Sequence, residues 1–206
     1  MKILAAGDLH GDFYAARALA LKAQEEDVDL IILCGDIVDQ DQNPNNTIGE
    51  FIKKNKKVLF LPGNHESFAT ANFLAELYGI KNLHATYLKY KDLGIFGCGG
   101  ANIGIEHIGE DEVFSILQKN HDKIKMYKKR LMVTHVPPAN SKMELMSKLI
   151  TGLDIDLGSK GVRKAIEQLQ PDIVLCSHLH EAEGIEEKIG KTEVINVGRT
   201  GRIIEI

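Results

Sequence analysis

Short, almost wholly apolar runs recur along this chain. Between them lie longer stretches in which apolar residues return every three or four positions. Lys2–Ala6, Leu30–Cys34, Val58–Leu61, Leu131–Thr134 and Ile173–Cys176 have strand length and read as buried strands. Asp12–Glu26, Ser67–Tyr78, Asp111–Tyr127 and Lys160–Gln170 carry helical spacing. In the last of these, Val162, Ala165, Ile166 and Leu169 share one face, and Pro171 stops the helix before the next strand. Strand–helix alternation of this kind predicts an α/β domain. Tyr87–Gly97 and the stretch from Gly184 to Ile206 are richer in strand pattern. The latter holds a hairpin around Gly190 and a final strand from Arg202, so a second, partly antiparallel sheet is expected. Pro137–Gly158 reads as a helix packed on the core through Met143, Leu145, Met146, Leu149 and Ile150. A lid over the site or a dimer contact is the alternative, which leaves room for a homo-oligomer. With no internal repeat and no composition break, residues 1–206 are expected to form a single domain.

Composition narrows the function classes. No apolar run approaches the ~20 residues that cross a bilayer, so no membrane partner is expected. The apolar start at Met1–Gly7 is too short for a secretory leader and meets Asp8 at once. It reads as the first strand of a cytoplasmic protein. Cys34, Cys98 and Cys176 sit singly in apolar runs, as small buried hydrophobes and not as a disulfide frame. The net charge is −4, and the Lys53–Lys57 and Lys128–Arg130 clusters are explained by solvated turns. A nucleic-acid partner is therefore not expected.

The chemistry lies where the strands end. Asp8 and His10 follow the first strand, Asp36 and Asp39 the second, and Asn64, His65 and Glu66 the third. His135 follows the fourth, and His178 and His180 follow the fifth. Ligand sites of α/β sheets lie beyond the carboxyl ends of the strands. There Asp8, His10, Asp36, Asn64, His135, His178 and His180 would offer oxygen and nitrogen donors suited to divalent metals. Seven donors exceed one four-coordinate ion and suit two ions sharing a carboxylate. Taken singly, each motif is also what turns and helix caps produce. Five in a row after five strands are not. Of eight histidines, five lie in these clusters, and His84, His107 and His121 read as surface or loop residues. Glycines 7, 11, 35 and 63 fit sharp turns with close backbone approach.

The ordered series Asp8-x-His10, Gly35-Asp36-x-x-Asp39, Gly63-Asn64-His65-Glu66, His135 and His178-x-His180 resembles the calcineurin-like metallophosphoesterases. The resemblance implies two packed mixed β-sheets flanked by helices, an αββα sandwich. It also implies a hydrolase in which a hydroxide shared by two metals attacks a phosphate ester. By this likeness Asp8, His10, Asp36 and His180 would hold one ion, and Asp36, Asn64, His135 and His178 the other. His65 would face the substrate as the catalytic proton donor, with Asp39 and Glu66 as supporting partners. The donor set suits Mn²⁺, with Fe, Zn, Ni or Co also compatible. Gln40 and Pro62 stand where related protein phosphatases carry phosphate-clamping arginines, and Ser177 stands where Gly is more usual. The missing arginines favour a diester, on a small or nucleotide-like substrate, over a phosphoprotein. The alternatives are a phosphomonoesterase and a non-catalytic metal-binding scaffold of the same fold. Arg199 is expected to be a solvated turn residue, with a phosphate contact as the other reading.

Overall fold

The computed structural model describes residues 1–40 and 46–206. Two strand layers stack face to face, and helices cover both outer faces. The first sheet contains β1 (Lys2–Ala6), β2 (Leu30–Cys34), β3 (Lys57–Leu61), the two-residue β4 (Lys81–Asn82) and β11 (Arg202–Glu205), in the order β11-β1-β2-β3-β4. The second contains β5 (Thr86–Tyr90), β6 (Leu93–Cys98), β7 (Lys129–Thr134), β8 (Ile173–Cys176), β9 (Glu186–Ile189) and β10 (Thr192–Asn196). Their order is β5-β6-β7-β8-β10-β9. Each sheet is mixed. β1 to β4 run parallel with β11 antiparallel at one edge; β6, β7, β8 and β10 run parallel, with β5 and β9 antiparallel at the edges. This is the two-sheet sandwich that the resemblance implied.

Strand periodicity sorts the core. Alternate residues of a strand point to opposite faces. Ile3, Ala5, Leu30, Ile32, Leu59 and Leu61 therefore turn inward against Leu93, Ile95, Leu131, Val133 and Leu175 of the other sheet. Leu4, Ala6, Ile31, Leu33, Val58 and Phe60 turn outward under α1 (Phe13–Glu25), α2 (Thr47–Ile52) and α3 (Phe68–Tyr78). The second sheet's outer face carries Phe96, Met132, Val174 and Val194. It lies under α4 (Glu110–His121), α6 (Lys160–Leu169) and Met143 of α5 (Lys142–Thr151). Each such Val, Leu, Ile, Phe or Met side chain contributes roughly 1.5–3 kcal/mol by leaving water. A strand apolar on both faces is what a parallel sheet covered on both sides requires.

The starts of the helices follow from capping chemistry. Asp12, Ser67, Ser141 and Ser159 each accept the backbone N–H three residues on, at α1, α3, α5 and α6. Several sequence expectations need correction. The helical pattern over Asp111–Tyr127 stops at His121. Beyond it the chain closes tighter turns (Lys123 N–H to Asn120 O, Ile124 N–H to His121 O) that drop Ile124 into the core beside Gly94. β4 and α2, two and six residues long, are too short to print a period. The expectation that α5 packs on the core through five apolar residues is overturned. Met143 is buried, but Leu145, Met146, Leu149 and Ile150 are exposed. Among the described residues, no helix is long and apolar enough to cross a membrane.

Candidate metal centre

Five loops converge beyond the carboxyl ends of β1, β2, β3, β7 and β8, and their backbones are tied to one another. Asp8 N–H donates to Gly35 O at 3.0 Å, His10 N–H to Asp36 O at 2.8 Å, and Ser177 N–H to His135 O at 2.8 Å. The turns are sharp. Asp8, His10, Asp36 and His178 have φ of 54°, 46°, 53° and 70°, a left-handed region that costs a side-chain-bearing residue energy. Asp and His tolerate it better than most, and the fold holds four of them there at one site. Gly35 and Gly63 are required by contact. A Cβ on Gly35 would lie 2.5 Å from His135 Nδ1, and one on Gly63 would overlap the Asp36 carboxylate.

All seven predicted donors come together. Asp8, His10 and His180 form one group, and Asp36, His135 and His178 another. A third joins His10, Asp36 and His65. In each group, the donor atoms lie within 4.8 Å of one another. Asp36 stands between the first two, with its Oδ2 3.4 Å from His135 Nε2 and 3.8 Å from His10 Nε2. Asn64 Oδ1 lies 2.9 Å from His135 Nε2 and 2.8 Å from His178 Nδ1. On the other side, His180 Nε2 lies 3.4 Å from His10 Nε2 and 3.7 Å from Asp8 Oδ2. Borderline nitrogen and hard oxygen donors so close together fit divalent ions.

The electrostatics fit the same use. Burial raises the Asp36 carboxyl, but the charge and hydrogen bond of His135 outweigh it and hold the group well below the usual carboxylate range. Burial pulls His135 down, yet Asp36 outweighs that too and holds its pKa at about 9. His178 is pushed down to about 3, by burial first and then by the charge of His135. Burial also lowers His10. His135 donates Nδ1–H to Cys34 O at 2.8 Å, which turns Nε2 towards the other donors.

The supporting residues have definite tasks. Asp39 Oδ1 lies 2.6 Å from His65 Nδ1 and orients the ring. Glu66 is fully buried and caps no helix, since Ser67 caps α3. Its carboxylate accepts the N–H groups of Asp36 (3.1 Å), Val38 (2.8 Å) and Gly63 (2.8 Å), and that of Ile37. It staples the loop after β2 to the loop after β3. Burial and then the Asp36 charge push its pKa up to about 7. Ser177, which the sequence marks only as a departure from the more usual Gly, has a definite task as well. Its buried hydroxyl donates to Asp8 Oδ2 and lies where a Cβ on Gly7 would intrude. The signal would be its pairing with Gly7 at the end of a strand of the facing sheet, which no one-dimensional motif prints.

The remaining expectations sort as follows. Arg199 pairs with Asp12 and is not among the residues that line the cleft opening from the cluster. His107 is an exposed loop residue. His84 and His121 are corrections to that group. His84 is half-buried, stacked on Phe68 at 3.9 Å between ring centroids, and accepts from Gly99 N–H. His121 is buried at the end of α4, 3.2 Å from Arg130 Nη1. All three cysteines are buried, and burial pushes their thiols up.

The cluster opens into a cleft of about 260 Å³. Metal-type donors form one side; α5 and residues 151–157 form another. A covered two-sheet sandwich with acidic and imidazole donors at its strand ends is the architecture of a metallohydrolase. The chain belongs to the calcineurin-like phosphoesterase family, whose model matches residues 1–182. It is a metallophosphoesterase. An uncharacterized protein of Methanocaldococcus jannaschii is 29% identical over 205 residues, covering 95% of this chain and 87% of that protein. Among solved structures, the protein TT1561 of Thermus thermophilus superposes with a TM-score of 0.75 at 18% identity, covering 97% of this chain and 90% of that one. A dimetal phosphatase from Danio rerio gives 0.63 at 11% identity, covering 96% and 87%. At these identities both structures speak to the fold alone.

Proposed function

We propose that the protein hydrolyses a small phosphodiester with two divalent ions, Asp36 shared between them. Asp8, His10 and His180 would complete one ion's ligands; Asn64, His135 and His178 would complete the other's. The observation that carries the reading is the placement of the Asp36 carboxylate between two donor groups, within 4 Å of imidazoles from both. When bound, such ions draw charge from a phosphoryl oxygen and acidify the attacking water. The chain's own task is then positional and acid–base. Asp39 holds His65 by Nδ1, so Nε2 faces the cleft, 4.0 Å from Asp36 Oδ2. A proton given up at Nε2 passes to the leaving oxygen and is regained from water. Glu66 and Ser177 keep the loops and Asp8 in register through the turnover.

The diester preference has support beyond Gln40 and Pro62. Lys148 is the one lysine or arginine among the described residues lining the cleft, and two aspartates already engage it. A monoester dianion would therefore find little cationic complement besides the metals.

The test compares bis-p-nitrophenyl phosphate with p-nitrophenyl phosphate, with Mn²⁺ and with chelator, in wild type, Asn64→Ala and His65→Ala. Chelator-sensitive cleavage of the diester, lost in both variants, is expected, with Mn²⁺ the best activator. Cleavage of the monoester alone would make the protein a phosphatase. Zn²⁺ outperforming Mn²⁺ would overturn the metal assignment. No cleavage and no bound metal would leave a scaffold of this fold.

A further inference from the structure

The cleft's second side is an ordered device. After α5, Gly152 ends the helix in a left-handed turn, and residues 153–157, Leu-Asp-Ile-Asp-Leu, form a strap in neither helix nor strand. Asp154 and Asp156 both turn to Lys148 Nζ, at 3.0 and 2.7 Å. Leu153, Ile155 and Leu157 line the cleft that His10, Asn64 and His178 also line. The strap's ends are pinned. Leu153 N–H donates to Thr151 Oγ1 at 3.2 Å, and Gly158 N–H to the buried Glu144 at 2.9 Å. Ile103 joins the lining from the loop after β6, which is tied down by Ile105 N–H donating to Asn64 O at 2.9 Å.

We infer that Leu153, Ile155, Leu157 and Ile103 form a subsite for an apolar organic substituent on the phosphate ester, which rests on the cleft being the phosphoesterase site. Three observations carry it. Leu153 and Ile155 are exposed large apolar residues, at 57% and 50%, yet they face a concave cleft continuous with the donor cluster. At about 30 Å³ per water, the cleft holds roughly nine waters' worth of volume, more than a phosphoryl group fills. The cationic side chain that could greet a second anionic group, Lys148 of α5, is occupied by the strap's Asp154 and Asp156, while Glu181 adds a further carboxylate to the lining. The wall thus favours an alkyl or aryl substituent and disfavours a polyanionic one.

The test is titration calorimetry of Mn²⁺-loaded protein with methylphosphonate and hexylphosphonate, which share a headgroup and differ in tail. Wild type is expected to bind the hexyl compound at least about tenfold tighter, a small part of what full burial of the extra chain would give. Leu153→Ser with Ile155→Ser should lose most of that ratio, and Leu153→Met with Ile155→Met should keep it. Both positions are exposed, so neither pair threatens folding. Equal affinities in wild type, a ratio unchanged in the serine pair, or binding of neither phosphonate would overturn the subsite. Hydrolysis of bis-p-nitrophenyl phosphate in the same preparation separates the two claims. Turnover with equal affinities removes the subsite alone; a hexyl preference without turnover keeps the subsite and removes the diesterase reading.

Discussion

Around the donor cluster, every turn is braced by another strand's loop. Asp8, His10 and Ser177 donate backbone N–H groups to Gly35, Asp36 and His135, and Glu66 gathers four more. Facing it, the 153–157 strap hangs from its two ends and one lysine, with Asp154, Ile155 and Asp156 exposed. The first region stores backbone strain and buried charge, which a packed sandwich can hold in place. The second commits Leu157 to the edge of the core and leaves Leu153 and Ile155 exposed. On the proposed reading, chemistry is built where side chains cannot move, and discrimination between substrates where they can be exchanged at little cost to the fold.

The largest effect should come from removing the acid on the rigid side. His65→Ala should cut turnover about a hundred- to ten-thousandfold, the usual span for a positioned proton donor. Metal content should stay unchanged, because the other donor groups are intact. Elemental analysis beside the rate would break the picture if the ions left with the imidazole.

Acidity should sharpen the contrast next. In the metal-free protein, Asp36 holds a proton on His135 up to about pH 9. A protonated imidazole cannot ligate, so metal uptake at pH 7 must release that proton. Apparent affinity should rise with pH, by about tenfold per unit below 9 for one displaced proton, and then level off. Calorimetry in buffers of different ionisation enthalpy reads the release directly. An affinity flat between pH 7 and 9 would mean that His135 ligates nothing.

Ser177→Ala follows. Removing a group that orients a ligand costs about ten- to a hundredfold in metal affinity or activity, and here Asp8 would lose its hydroxyl donor. The loss should fall on metal occupancy, with hexyl-over-methyl preference untouched, because Ser177 does not line the cleft. A shifted preference would show that the two regions are mechanically coupled.

How much of this was legible in the sequence divides along the same line. The five buried strands, the helices α1, α3, α4 and α6 and the seven donors follow from local pattern: apolar runs of strand length, apolar residues at helical spacing, and Asp, Asn or His immediately after the strands. The two-sheet pairing came with the resemblance, since hydrophobic period does not say which strand sits beside which. Pattern misled at α5, where apolar residues at helical spacing are the sign of a core face. Leu145 and Leu149 obey the period and stay exposed, because only Met143 meets the second sheet's core. Ser177 and Glu66 act through contacts 169 and about 30 residues away in sequence, which no local window holds.

The smallest effect should come from loosening the strap. Asp154→Asn with Asp156→Asn removes both partners of Lys148 and leaves the fold's core untouched. Exposed ion pairs stabilise little, since solvent screens them and two long side chains lose freedom. The melting temperature should stay at the wild-type value. The substrate effect should be larger than the stability effect, because the pair's task is to turn Leu153, Ile155 and Leu157 together toward the cleft. With the aspartates neutral, the strap would sample other orientations, and hexyl-over-methyl preference should fall a few-fold, less than in the serine pair. The freed Lys148 would also offer the cleft a cation, so turnover of p-nitrophenyl phosphate should rise relative to the diester. A preference that held steady while the monoester gained would assign the clasp to charge alone, and the apolar wall would then owe its orientation to its pinned ends.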